Sequence, residues 1–111
     1  MLNENAKLWL EALESGKFLQ RKGALYKDGK YCCLGVGKKL AGDDGVKVSE
    51  SKLNWFISDD VVNWLGLIDN AGCALSQDLP SCVALNDDMG KTFPEIAAHL
   101  REHQDKYFVQ R

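Results

Sequence analysis

Asp28-Gly29 separates the run FLQRKGALY from YCCLGVGKKLAG. A two-residue Asp-Gly loop between apolar runs demands positive φ, so the chain must reverse direction there. Phe18 to Tyr26 carries enough aromatic and apolar residues for a strand, and a hairpin places Leu25 or Tyr26 near Tyr31. Beyond Tyr31 the strand pattern gives way to a short helix with apolar positions at Leu34, Val36 and Leu40. Gly35 and Gly37 weaken its intrinsic propensity, so their presence implies close backbone packing. Cys32 and Cys33 then fall at a strand-to-helix corner, where one thiol can face the core and the other the opposite side.

Helical signals flank this corner. In NENAKLWLEALESG, Leu2, Ala6, Trp9 and Leu13 recur at helical spacing, Leu10 widens the stripe, and Gly16 supplies a stop. Trp9 reads as a core anchor. Ser58 is a suitable N-cap for DDVVNWLGL, with Asp59 and Asp60 at the positive helix end and a stop near Gly66. Thr92 and Glu95 form a capping box that opens FPEIAAHLREHQDKYF, read as one helix with Phe93, Ile96, Ala97, Leu100 and Tyr107 on one face. Residues 42–57 read as irregular, with a turn at GDDG, a short strand at 46–48, and Leu53, Trp55, Phe56 and Ile57 as buried cover. A loop with a short extended piece at CAL and a helical or turn segment at LPSCVALND complete the chain. The expected fold is a compact, mainly helical α+β single domain over residues 1–111 with a short N-terminal β-hairpin.

The 111 residues, 45% hydrophobic and 27% charged, suit one globular core that needs neither disulfides nor a structural metal. Glu4, Glu11 and Glu14 interrupt the first 20 residues, which is not a signal-peptide pattern. No apolar run approaches the ~18 residues of a membrane span. A soluble, cytoplasmic protein without membrane partners is expected. The charge is uneven: residues 1–41 carry eight Lys and Arg against four acids, and residues 42–111 carry six against twelve. The basic stretch from Lys17 to Lys39 could attract a phosphate-bearing ligand. The acidic second half argues against extended nucleic acid.

Catalytic and metal motifs are weak. Cys32, Cys33, Cys73 and Cys82 form no CxxC pair, and His99 and His103, one helical turn apart, flank an apolar stripe where polar residues belong anyway. No metal or cofactor is called for. Lysines near Cys32 and Cys33 could lower a thiol pKa, but a buried thiol acting as a small hydrophobe is the stronger reading. In LNDDMGKTFPEI the GKT resembles the end of a phosphate-binding loop, yet Leu85 stands where that loop needs glycine, and the acids do not follow a calcium-loop order. What remains is a polar turn feeding a capped helix N-terminus, a place where backbone amides can hold an anion.

WLEALESGKFLQRKGALYKDGKYCCLGVGKKLA, then VVNWLGL and ALNDDMGKTFPEIAAHL, together resemble a family of small proteins encoded in bacteriophage genomes and prophages. The most specific parts are SGKF-Q-KG-L with G-YCCLGV, reinforced by LND-G-TFPEIA. Residues 42–57 match poorly, and Gly37 and Lys38 depart from the apolar continuation of the CCLGV segment. The resemblance implies a phage origin and a host-cytosol setting, and it implies no catalytic residues. The expected function is non-enzymatic capture of an anionic, nucleotide-like molecule, such as a host defence signal. The expected contacts are Gln20 and Lys22 on one strand face, Tyr31 stacking on a base, and Lys91 and Thr92 receiving a phosphate. The alternatives are an inhibitor of a host enzyme, docking through Trp55, Phe56 and the acidic surface, and a small cysteine-dependent enzyme.

Overall fold

The computed structural model describes residues 2–46 and 56–109. Helix α1, Glu4–Ser15, begins where the Asn3 side chain accepts from the Ala6 amide at 2.7 Å, and it ends at Gly16 with φ 77°. Its buried stripe is Ala6, Trp9, Leu10 and Leu13, the one read from the spacing. Trp9 is fully buried: its indole N–H donates to the Cys33 carbonyl at 2.9 Å, and its ring meets Phe108 edge-on at 6.1 Å. At the far end of α1, Glu14 accepts two hydrogen bonds from Arg101, a forked pair that holds the Glu14 carboxyl below its ordinary pKa.

The sheet is small and ordered β1-β3-β2, from β1 (Leu19–Gln20), β2 (Tyr26–Lys27) and β3 (Lys30–Tyr31). Asp28 at φ 55° and Gly29 at φ 79° close the β2–β3 hairpin, with Tyr26 opposite Tyr31. The expected single strand from Phe18 to Tyr26 is instead two. The chain bends between Gln20 and Tyr26, passing through Gly23 at φ 88°, so β1 returns to lie parallel to β3 on its other side. Side chains from the second half of the protein hold this bend, as described below.

Helix α2, Cys33–Asp43, starts at the corner. The Cys32 thiol occupies the N-cap and accepts from the Gly35 amide at 3.4 Å. Cys33 donates its S–H to the Cys82 carbonyl at 3.4 Å. Both cysteines are therefore buried, rather than one facing away. Close packing explains the glycines: a Cβ on Gly35 would lie 1.8 Å from the Leu25 carbonyl oxygen, and one on Gly37 would lie 2.7 Å from a Leu65 methyl.

Helix α3, Asp59–Leu65, has the Ser58 cap and a left-handed Gly66 stop. Ile57 is buried, but Phe56, expected as cover, is 48% exposed. Most of the expected strand at 46–48, with Leu53 and Trp55, lies outside the described residues. The segment after α3 is a loop in which the expected extended piece at CAL forms no strand. It leads to a π-helical turn, Ala84–Asp88, within LPSCVALND. Helix α4, Phe93–Glu102, opens with the full Thr92–Glu95 capping box and buries Phe93, Ile96, Ala97 and Leu100.

The last helix is not continuous. It breaks at His103, and a short helix α5, Gln104–Tyr107, follows. The physical reason lies in adjacent buried aromatics: Tyr107 is fully buried beneath His99, while Phe108 leaves the helix in an extended conformation to bridge Leu67 and meet Trp9. A straight helix would point these neighbours about 100° apart. Among the described residues no helix is long and apolar enough to cross a membrane.

Candidate functional site

Asn86, on the π-helical turn, is 1% exposed and makes four hydrogen bonds. Its Oδ1 accepts from Gln20 Nε2 at 2.9 Å and from the Cys33 amide at 3.2 Å. Its Nδ2 donates to the Arg21 carbonyl and to Asp87 Oδ1, each at 2.8 Å. Asp87 Oδ1 also accepts from the Gly23 amide at 2.9 Å. These bonds hold the bend between β1 and β2, and the Cys33 bond satisfies the first amide of α2, which has no partner within its own helix.

Gln20 completes the arrangement. Its Nε2 donates to the Lys91 carbonyl at 2.7 Å as well as to Asn86, and its Oε1 accepts from the Phe93 amide at 3.0 Å. The expected ligand contact at Gln20 is thus an internal tie from β1 to the start of α4. The expectation that backbone amides at this helix end hold an anion changes with it. The Thr92 amide donates to Glu95, the Phe93 amide to Gln20, and the Glu95 amide to Thr92 Oγ1, while Pro94 has no N–H. An anion here would meet side chains rather than amides.

Such side chains are present. Gln20, Lys22, Lys91 and Thr92 border one cleft of about 350 Å³, together with Arg21 and Gly90. Lys22 is not on the strand with Gln20, as alternation suggested, but in the bend beyond it. Its ammonium reaches over Gly90, 3.5 Å from where a Cβ on that residue would stand. Among the described residues neither Lys22 nor Lys91 forms an ion pair.

Tyr31 is separated from this cleft. Its ring packs edge-on against Phe18 at 5.3 Å and tilted against Tyr26 at 4.7 Å, and it borders a different groove above α2. The structure thus brings four of the five expected contact residues together and leaves the aromatic one elsewhere. Asn86 and Asp87 had no functional or structural role in the sequence reading. Their only sequence signal is a pair of short polar residues directly after the apolar Leu85.

The cysteines lack the setting of a nucleophile. Burial first, then the neighbouring Cys33, pushes the Cys32 thiol up to about 12. Cys33 is raised well above its ordinary value by its hydrogen bond toward Cys82 and by burial. A thiolate is therefore disfavoured at both sites near neutral pH. Among the described residues no group of three His, Cys, Asp or Glu is placed to hold a metal ion.

His99 has a defined role at the α4–α5 break. Tyr107 donates its hydroxyl proton to the Pro80 carbonyl, so His99 Nε2–H must be the donor to the Tyr107 oxygen, at 2.8 Å. Burial, then the neighbouring His103 and with a smaller opposing effect from Glu102, lowers the His99 pKa. The folded state therefore favours neutral His99, whereas the unfolded chain takes up a proton near 6.5. This contribution to stability is complete above that value and is lost as pH falls through the lower folded-state pKa. Thermal melts from pH 7.5 to 5 should show a falling midpoint, with a shallower fall in His99→Gln. Equal slopes in the two proteins would remove His99 as the cause.

Comparison with family models, curated proteins and solved structures finds no match to this chain.

Proposed function

We propose that the protein is a non-enzymatic binding protein for a small phosphorylated ligand, held between Lys22 and Lys91. The observation that supports this reading most is the arrival of two unpaired ammonium groups, from segments almost seventy residues apart, at the rim of one 350 Å³ cleft. Thr92 adds a hydroxyl at the same rim. Gln20 and Asn86 act as the rigid floor, because their amide groups are engaged internally. In the phage setting that the resemblance implies, the ligand is a nucleotide-derived host signal, and the activity is stoichiometric capture. Capture requires affinity alone, whereas cleavage would require positioned acid, base or metal groups.

Lys22→Ala and Lys91→Ala should each weaken binding about three- to fivefold, as expected for losing an exposed charge contact of up to ~1 kcal/mol. Raising the salt concentration should weaken wild-type binding as well. Titration calorimetry with inorganic pyrophosphate and with nucleotide signals measures both effects, and circular dichroism checks the fold. Unchanged affinity in both folded variants would reject the cleft. A wild-type protein that retains none of these ligands would favour the host-enzyme inhibitor instead, a reading to which the exposed Phe56 lends its ring.

A further inference from the structure

The groove that receives Tyr31 has a chemistry of its own. Its volume is about 320 Å³, at the lower end of the ~300–1,000 Å³ range of small-molecule sites. One wall is aromatic: Tyr26, 47% exposed, and Tyr31 lie with ring centroids 4.7 Å apart at 50°. The edge-on contact with Phe18 steadies Tyr31 from behind. The other wall is the face of α2 that carries Lys38, Lys39 and Gly42. Gly42 contributes no side chain, so the groove stays open beside the lysines. Lys39 pairs with Asp43 at 2.8 Å, which neutralises the acid on this wall. Lys38 forms no ion pair among the described residues.

We infer that this groove is a second binding site, for a planar heteroaromatic ring bearing a phosphate, the chemistry of a nucleoside monophosphate. The ring stacks on Tyr26 and Tyr31, and the phosphate lies toward Lys38. Stacking on an aromatic side chain is tolerant of base identity, because every base offers a π face. The lysine side of the groove favours an anionic ligand over a neutral nucleoside. The site does not depend on the Lys22–Lys91 cleft, since no residue borders both.

The test is an NMR titration of the full chain with AMP, adenosine and ribose 5-phosphate. AMP should shift the Tyr26 and Tyr31 ring signals and the Lys38 and Gly42 amides. Ribose 5-phosphate and adenosine should each bind at least about tenfold more weakly, since each lacks one half of the recognition. Tyr26→Ala should weaken AMP about tenfold and Lys38→Ala about three- to fivefold, with unchanged circular dichroism. The double variant Lys22→Ala/Lys91→Ala should leave the groove shifts intact, which separates this site from the cleft. AMP shifts confined to the cleft, equal binding of ribose 5-phosphate, or no AMP shifts at all would overturn the inference.

Discussion

Replacing Gly35 with alanine should unfold most of the protein. The added Cβ would stand 1.8 Å from the Leu25 carbonyl oxygen and 2.7 Å from the Leu25 carbonyl carbon. Both are backbone atoms, and the same oxygen accepts from the Cys32 amide at 3.2 Å. No side chain can rotate to make room, so α2 must separate from the hairpin and that bond must lengthen or break. A loss of about 4 kcal/mol or more is expected, beyond the usual cost of overpacking because the obstacle is backbone. Gly37→Ala is the internal control. Its Cβ would meet a Leu65 methyl at 2.7 Å, which a leucine can move, and alanine gains up to ~1 kcal/mol of helix propensity. Urea denaturation should therefore show a near-neutral Gly37→Ala and a severely weakened Gly35→Ala. Similar midpoints for the two would mean that the corner is looser than this packing implies.

Asn86→Ala should be nearly as damaging. It removes the acceptor of the Cys33 amide and the side-chain donor to the Arg21 carbonyl, and it leaves Gln20 Nε2 with Lys91 alone. At about 1–3 kcal/mol for each buried group left unsatisfied, a total near 3–5 kcal/mol is expected. Asn86→Asp sharpens the test. The new carboxyl keeps the acceptor but turns an oxygen toward the Arg21 carbonyl and Asp87, so burial and like charge raise its folded pKa. Its unfolded value is near 3.9. The folded state then holds the extra proton between these two values, so the penalty is smallest below the lower one and grows as pH rises through the folded pKa. Urea midpoints measured against wild type should converge as the pH is lowered. A gap independent of pH would show that the Nδ2 bonds do not carry the effect.

Asn86 and Gly35 also explain much of the sequence pattern. Gln20, Leu25, Cys33, Gly35, Asn86 and Phe93 all fall in the segments that carry the phage-protein resemblance. In the structure these residues hold the hairpin, the start of α2, the π-helical turn and the start of α4 together. The pattern is accounted for by construction of the fold, and the candidate ligand groups, Lys22, Lys38 and Lys91, stand at its edges.

Local signals were legible because their physics is local. The apolar stripe of α1, the Ser58 cap, the Thr92–Glu95 box and the Asp28-Gly29 reversal each involve residues within about four positions, where side-chain spacing or a required φ reveals them. Cys32 and Cys33 marked the corner, and the glycines announced that something packs closely on α2. Tertiary structure decided the partners. The Asn86 bonds span 53 to 66 residues, apart from the one to its neighbour Asp87, and no local pattern identifies an asparagine as a hub. The split of the expected first strand followed from those bonds, because they hold its backbone away from β2. Burial of both Tyr107 and Phe108 likewise broke a helix whose periodicity alone would have continued it. Lys22 and Lys91 met, and Tyr31 parted from them, through packing between distant segments. Side-chain type states what a residue can bind, but only the folded chain sets which residues share a cleft.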